Sequence, residues 1–154
     1  MGRTPMKLAD PRRGESDRPP ETRPRLVVAD DHAPLLAAAE RLLAAEFDVA
    51  RTARDGRGAL QAIADVDPDA VVLDLAMPEL DGIEVARRLR AARSRAKIVI
   101  LTVHDDPDLL RAALEAGALG YVLKSRMSTE LALAIRAALG GRIFVSAVRG
   151  APGC

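Results

Sequence analysis

The sequence predicts an α/β fold: a five-stranded parallel sheet, order 2-1-3-4-5, with five helices covering both faces. Two observations carry this. Short aliphatic runs alternate along the chain with segments of helical periodicity, which calls for right-handed crossovers between parallel strands. The runs are also apolar at successive positions instead of every second one, as expected of strands buried on both faces.

The first run is Leu26-Val27-Val28-Ala29, ending in Asp30-Asp31. Pro34 suits the opening turn of a helix, and Leu35, Leu36, Ala39, Leu42 and Leu43 fall on one of its faces. A weaker strand covers about Phe47 to Thr52, and a helix from about Gly56 to Val66 follows with Asp55 as its cap. Ala70-Val71-Val72-Leu73 forms the third strand, ending in Asp74. The third helix, Ile83 to Ala92, is opened by the capping pair Asp81-x-x-Glu84. Ile98-Val99-Ile100-Leu101 ends in Thr102, and a helix of about Asp108 to Ala116 begins after Pro107. Tyr121-Val122-Leu123 ends in Lys124, and the last helix runs from about Thr129 to Leu139. Gly140-Gly141 stops it.

The 154 residues suit one domain with a short excess, and 49% hydrophobic with 29% charged residues describes a chain able to bury a core. Residues 1–24 carry five prolines, six basic and four acidic side chains and few apolar ones, so they read as a disordered leader. The domain is assigned to residues 25–140, and 141–154 to a tail or truncated linker. The net charge of +1 and only three aromatic residues disfavour direct nucleic-acid binding by this domain. Cys154 is the sole cysteine, which excludes an internal disulfide and suits a cytoplasmic setting. No apolar run is long enough for a membrane span, so no membrane partner is expected.

In sheets of this order, ligands bind beyond the carboxyl ends of strands 1 and 3. Those ends carry Asp30-Asp31 and Asp74. Three converging carboxylates call for a cation, and oxygen-only ligands on a hydrated rim favour Mg2+. Thr102 and Lys124 supply a hydroxyl and an ammonium to a phosphoryl group at the other two strand ends. A lysine is notable in a chain of twenty arginines and three lysines. Asp74 ends a strand with no helix immediately behind it to cap, and is the natural nucleophile for phosphoryl transfer.

Asp30-Asp31, the run Asp74 to Gly82, Leu101-Thr102 and Gly120 to Lys124 together resemble the receiver domain of two-component response regulators, with its flavodoxin-like, CheY-like fold. The likeness covers about residues 25–140. Leu101 to Asp106, Ala116 to Tyr121 and Gly140 to Ser146 are most similar to the NarL/FixJ-type subclass of transcription regulators. The resemblance implies Asp74 as phosphoacceptor and Asp30, Asp31, Asp74 and the Ala76 backbone carbonyl around Mg2+. It implies Lys124 as the phosphoryl contact and Thr102 with Tyr121 as the switch pair. It further implies a histidine kinase as partner and a homodimer through the fourth helix, fifth strand and fifth helix. Leu109, Leu110, Ala113 and Leu114 are assigned to that face near acidic Asp105, Asp106 and Asp108, with basic Arg126 and Arg136 near or on the fifth helix, and such opposite charges in one neighbourhood suit a two-fold dimer. DNA would be reached only through a C-terminal helix-turn-helix domain absent from this chain. Such a protein is a phosphorylation-dependent signalling switch and catalyses only its own phosphotransfer and dephosphorylation.

Two other readings are kept: a dimerisation module independent of phosphorylation, and an aspartate-nucleophile phosphatase. The second is disfavoured because Ala76 stands where such phosphatases place a second acid. His32 reads as a helix-entry residue, and His104 as a loop residue near the pocket mouth.

Overall fold

The computed structural model describes residues 22–147. Six strands and five α-helices alternate: β1 (Arg25–Ala29), α1 (Ala33–Leu43), β2 (Asp48–Ala53), α2 (Gly56–Val66), β3 (Ala70–Asp74), α3 (Gly82–Ala91), β4 (Lys97–Thr102), α4 (Pro107–Glu115), β5 (Gly120–Leu123), α5 (Met127–Leu139) and β6 (Phe144–Val145). A 3-10 turn, Lys124–Arg126, leads into α5. The sheet order is β2-β1-β3-β4-β5-β6, with every pair parallel. The five expected strands thus take the expected order.

Because strand side chains alternate between faces, each aliphatic run feeds two cores. Val27, Val71, Leu73, Ile98, Ile100 and Tyr121 pack with α2, α3 and α4. Leu26, Val28, Val72, Val99, Leu101 and Val122 pack with α1 and α5, through Leu36, Leu43, Leu131 and Ile135. A fully buried side chain of this size contributes about 1.5–3 kcal/mol, so the runs position the strand ends firmly.

The helix starts follow local chemistry. Asp55 Oδ1 accepts from Gly58 N at 2.6 Å and Asp106 Oδ1 from Asp108 N at 2.8 Å. Asp81 Oδ1 accepts from Glu84 N at 2.8 Å, but the Glu84 carboxylate turns to Arg87 and Arg88, so half of the expected capping pair is formed.

Three differences from the sequence reading have physical causes. β6 lies in the stretch assigned to the tail: Gly141, at φ 76°, turns the chain back, and Phe144 N and Ser146 N donate to the carbonyls of Leu119 and Tyr121. A two-residue strand is too short to leave a periodicity. Arg23 and Pro24, assigned to the leader, are bonded to the domain, since Arg23 Nη1 donates to Ala44 O at 2.7 Å and Asp48 N to Pro24 O at 2.9 Å. Residues 1–21 of the expected leader and 148–154 of the expected tail, Cys154 included, lie outside the described residues. Finally, Leu110 and Ala113 belong to the core, and Arg136 pairs with Glu46 behind α1, so these three are not available to a face built from α4, β5 and α5. Among the described residues, no helix is long and apolar enough to cross a membrane.

Candidate functional site

β1 and β3 sit side by side in the sheet, so the residues ending them are brought together. Asp30 N donates to Ala53 O at 3.0 Å, extending the ladder one residue past β1. Asp30 Oδ1 accepts from His32 N at 2.8 Å, which turns the chain into α1. His32 itself is the exposed residue at the helix entry and makes no side-chain cap. Asp31 is exposed on the rim, whereas Asp30 and Asp74 are 1% and 4% exposed. One carboxylate oxygen from each of the three lies within 4.8 Å of the other two.

Lys124, the residue after β5, reaches into this group. Its Nζ is 2.7 Å from Asp30 Oδ2 and 3.2 Å from Asp74 Oδ2. Asp74 Oδ1 accepts from Ala76 N at 3.2 Å, and Ala76 is exposed near the start of the loop behind β3. Burial first, then the charge of Asp30, raises the pKa of Asp74 above the usual carboxylate value despite Lys124 and the Ala76 amide. Burial opposes the Lys124 ammonium, but its contacts with Asp30 and Asp74 outweigh that and its pKa is raised. One ammonium therefore faces three carboxylates.

That imbalance is the test of whether a divalent cation fits. Asp30 Oδ2 is buried, and Lys124 Nζ at 2.7 Å is the one close partner that oxygen has among the described residues. An oxygen-only donor set with net negative charge and an under-satisfied buried oxygen suits Mg2+, and no His or Cys stands among the three.

The loop behind Asp74 is held by close backbone approach. A Cβ on Gly82 would lie 2.3 Å from Asp74 O, and one on Gly56 would lie 2.2 Å from Leu80 O. Only glycine lets α2 and α3 press this close to the loop.

Thr102 and Tyr121 meet at one residue. Thr102 Oγ1 accepts from His104 N at 3.0 Å, and Tyr121 Oη donates to His104 O at 2.7 Å. Both side chains are fully buried, while His104 and Val103 are exposed. A phenol buried this way, with Asp106 and Asp105 near it, is pushed up to about 12.

A family model described as the response regulator receiver domain matches residues 26–136, most of the chain. The chain belongs to that family. The transcriptional regulatory protein PrrA of Mycobacterium tuberculosis is 41% identical over 122 residues, 79% of this chain and 52% of that protein. The receiver domain of the putative response regulator NarL from Mycobacterium tuberculosis superposes with a TM-score of 0.75 at 34% identity, covering 78% of this chain and 98% of that one. A LuxR-family two-component response regulator from Aurantimonas sp. SI85-9A1 gives 0.78 at 36% identity, covering 82% and 91%. The chain spans about half the length of the curated relatives it matches, covering their receiver region. It is a receiver domain of the NarL/LuxR type, a signalling switch of two-component systems.

Two contacts around this receiver site were not anticipated. Arg54 holds the Asp31 carbonyl, and Ser146 is buried against Glu130 and the Leu123 amide. Both join residues far apart in sequence, and neither leaves a local signal. An arginine-lined cleft at the opposite end of the sheet is a weak rival site, because Arg23 is bound to Ala44 O, Arg25 to Asp48 and Arg136 to Glu46.

Proposed function

We propose that Asp74 accepts a phosphoryl group from a histidine kinase or a small phosphodonor, and that the resulting charge resets the loop between β4 and α4. The observation that carries this reading is the convergence of Asp30, Asp31, Asp74 and Lys124 at the carboxyl ends of three strands.

An Asp74 carboxylate oxygen bonds to phosphorus while the bond to the donor atom breaks, its electron pair leaving with the donor. Asp30, Asp31, Asp74 and the Ala76 carbonyl would hold Mg2+, which supplies charge neutralisation for the phosphoryl oxygens. Lys124 stands at hydrogen-bond reach of Asp74 and compensates charge on the transferred group. Burial of Asp74 keeps competing water from most of the carboxylate.

Thr102 and Tyr121 convert this event into movement. Turning the Thr102 hydroxyl toward new phosphoryl oxygens gives up the His104 amide, and Tyr121 then loses its partner as the His104 carbonyl shifts. The ligand shifts the equilibrium only by its differential interaction with the two loop arrangements. The readout is intact mass after acetyl phosphate and Mg2+: one added phosphoryl group on the parent and none on Asp74→Asn. A generic phosphate ester turned over catalytically would instead favour the phosphatase reading.

The output proposed for the switch is homodimerisation through α4, β5 and α5, in a regulator whose DNA contacts lie in another domain. Half-buried Leu109 and Leu114 on α4 support this face. Sedimentation with and without beryllofluoride tests it, and a monomer in both states rejects it. If Asp74→Asn leaves the sedimentation behaviour unchanged in a protein already dimeric, the phosphorylation-independent module is the better reading.

A further inference from the structure

Asp30 and Asp74 are fixed at their side chains, but Asp31 is not. Asp30 is tied by the His32 amide and Lys124, and Asp74 by the Ala76 amide and Lys124. The Asp31 carboxylate takes no hydrogen bond from a described residue, and it stands in the turn between β1 and α1, outside both elements. What fixes it is its backbone. Arg54, the residue after β2, directs two guanidinium donors to the Asp31 carbonyl: Nε at 3.2 Å and Nη2 at 3.1 Å. The preceding residue, Ala53, accepts the Asp30 amide, so two consecutive residues of the β2 end clamp Asp30 and Asp31 in turn.

We propose that Arg54 is a positioning residue for the cation site, acting through the Asp31 backbone to hold its carboxylate in reach of Asp30 and Asp74. This rests on the reading that these three acids bind Mg2+. An outer residue that orients a ligand typically alters metal affinity without touching the ion. Charge and positioning make opposite demands here. As a bare cation beside three carboxylates, Arg54 would repel Mg2+, so its removal would tighten binding. As the anchor of Asp31, its removal loosens binding because the third carboxylate is no longer held.

Calorimetric titration with MgCl2 of the parent, Arg54→Ala and Arg54→Lys separates the two. The expected result is about tenfold weaker binding for Arg54→Ala. Arg54→Lys, which keeps the charge and a single donor, recovers part of that loss. The rate of phosphorylation by acetyl phosphate at saturating Mg2+ stays near the parent's in both, while the half-saturating Mg2+ concentration rises. Arg54 is exposed, and melting without Mg2+ should place the variants beside the parent. Unchanged or tighter binding in Arg54→Ala overturns the proposal and leaves the Mg2+ reading intact. A parent that binds no Mg2+ overturns both.

Discussion

Tyr121 Oη donates to the carbonyl of His104 across 2.7 Å, and the amide of that same residue is held by Thr102. The link ties β5 to the loop after β4 and seals the phenol in the core. The chain has one tyrosine and no tryptophan, so phenolate absorbance reports this group alone. We expect a native midpoint at about 12, falling to about 10 in denaturant. The folded value lies above the unfolded one, so the neutral phenol's contribution to stability is complete below the unfolded value and fades as pH rises through the folded one. A native midpoint at the ordinary tyrosine value would mean that the ring is not sealed in.

Lys124 is the only cation within ion-pairing distance of Asp30 and Asp74 among the described residues. Lys124→Met leaves two buried carboxylates facing each other. We expect a loss of about 2 kcal/mol at neutral pH in urea unfolding, partly restored by Mg2+. An undiminished midpoint would show that the ammonium contributes little to holding the cluster.

The raised pKa of Asp74 means that its charge opposes folding at neutral pH. The sign follows from linkage: between the unfolded value and the higher folded value the unfolded chain binds fewer protons, so stability falls as pH rises through that window. Asp74→Asn should therefore melt at the higher temperature at pH 7, with the gain vanishing in acid below the ordinary aspartate value. Loss of stability at pH 7 would mean that pairing with Lys124 outweighs desolvation.

The strand ends were readable from sequence because each apolar run stops at a polar residue: Asp30, Asp74 and Lys124 stand at the ends of strands whose order brings them together, and Thr102 ends the strand beside Asp74's. The caps Asp55, Asp81 and Asp106 were readable for the same reason, since a cap acts within three residues of itself. Contacts between distant segments were not. Arg54 and Asp31 are 23 positions apart, as are Ser146 and Leu123, and no local pattern distinguishes them from surface residues. Arg136 was misplaced because helical periodicity tells which residues share a face but not which neighbour that face meets; Glu46 decides it.

Ser146 lies in the stretch read as tail yet is 1% exposed. Its hydroxyl donates to Glu130 and accepts from Leu123 N. Removing it strands the buried Leu123 amide, while Glu130 keeps its pairing with Arg126, so Ser146→Ala should cost about 1–2 kcal/mol by chemical denaturation. A double-mutant cycle with Glu130→Gln should show coupling between the two side chains, and strict additivity would mean that the Ser146–Glu130 contact contributes nothing.

Because β6 runs parallel to β5, the polypeptide doubles back after α5 and heads for the rim where Asp30, Asp74 and Lys124 gather. Pro24, by contrast, enters at the foot of β1, on the opposite rim. The described chain therefore leaves the domain on the same rim as the acid cluster and enters it on the other, so an attachment at one end starts nearer the site than an attachment at the other. Tether placement is thus a geometric variable in any assay of this receiver.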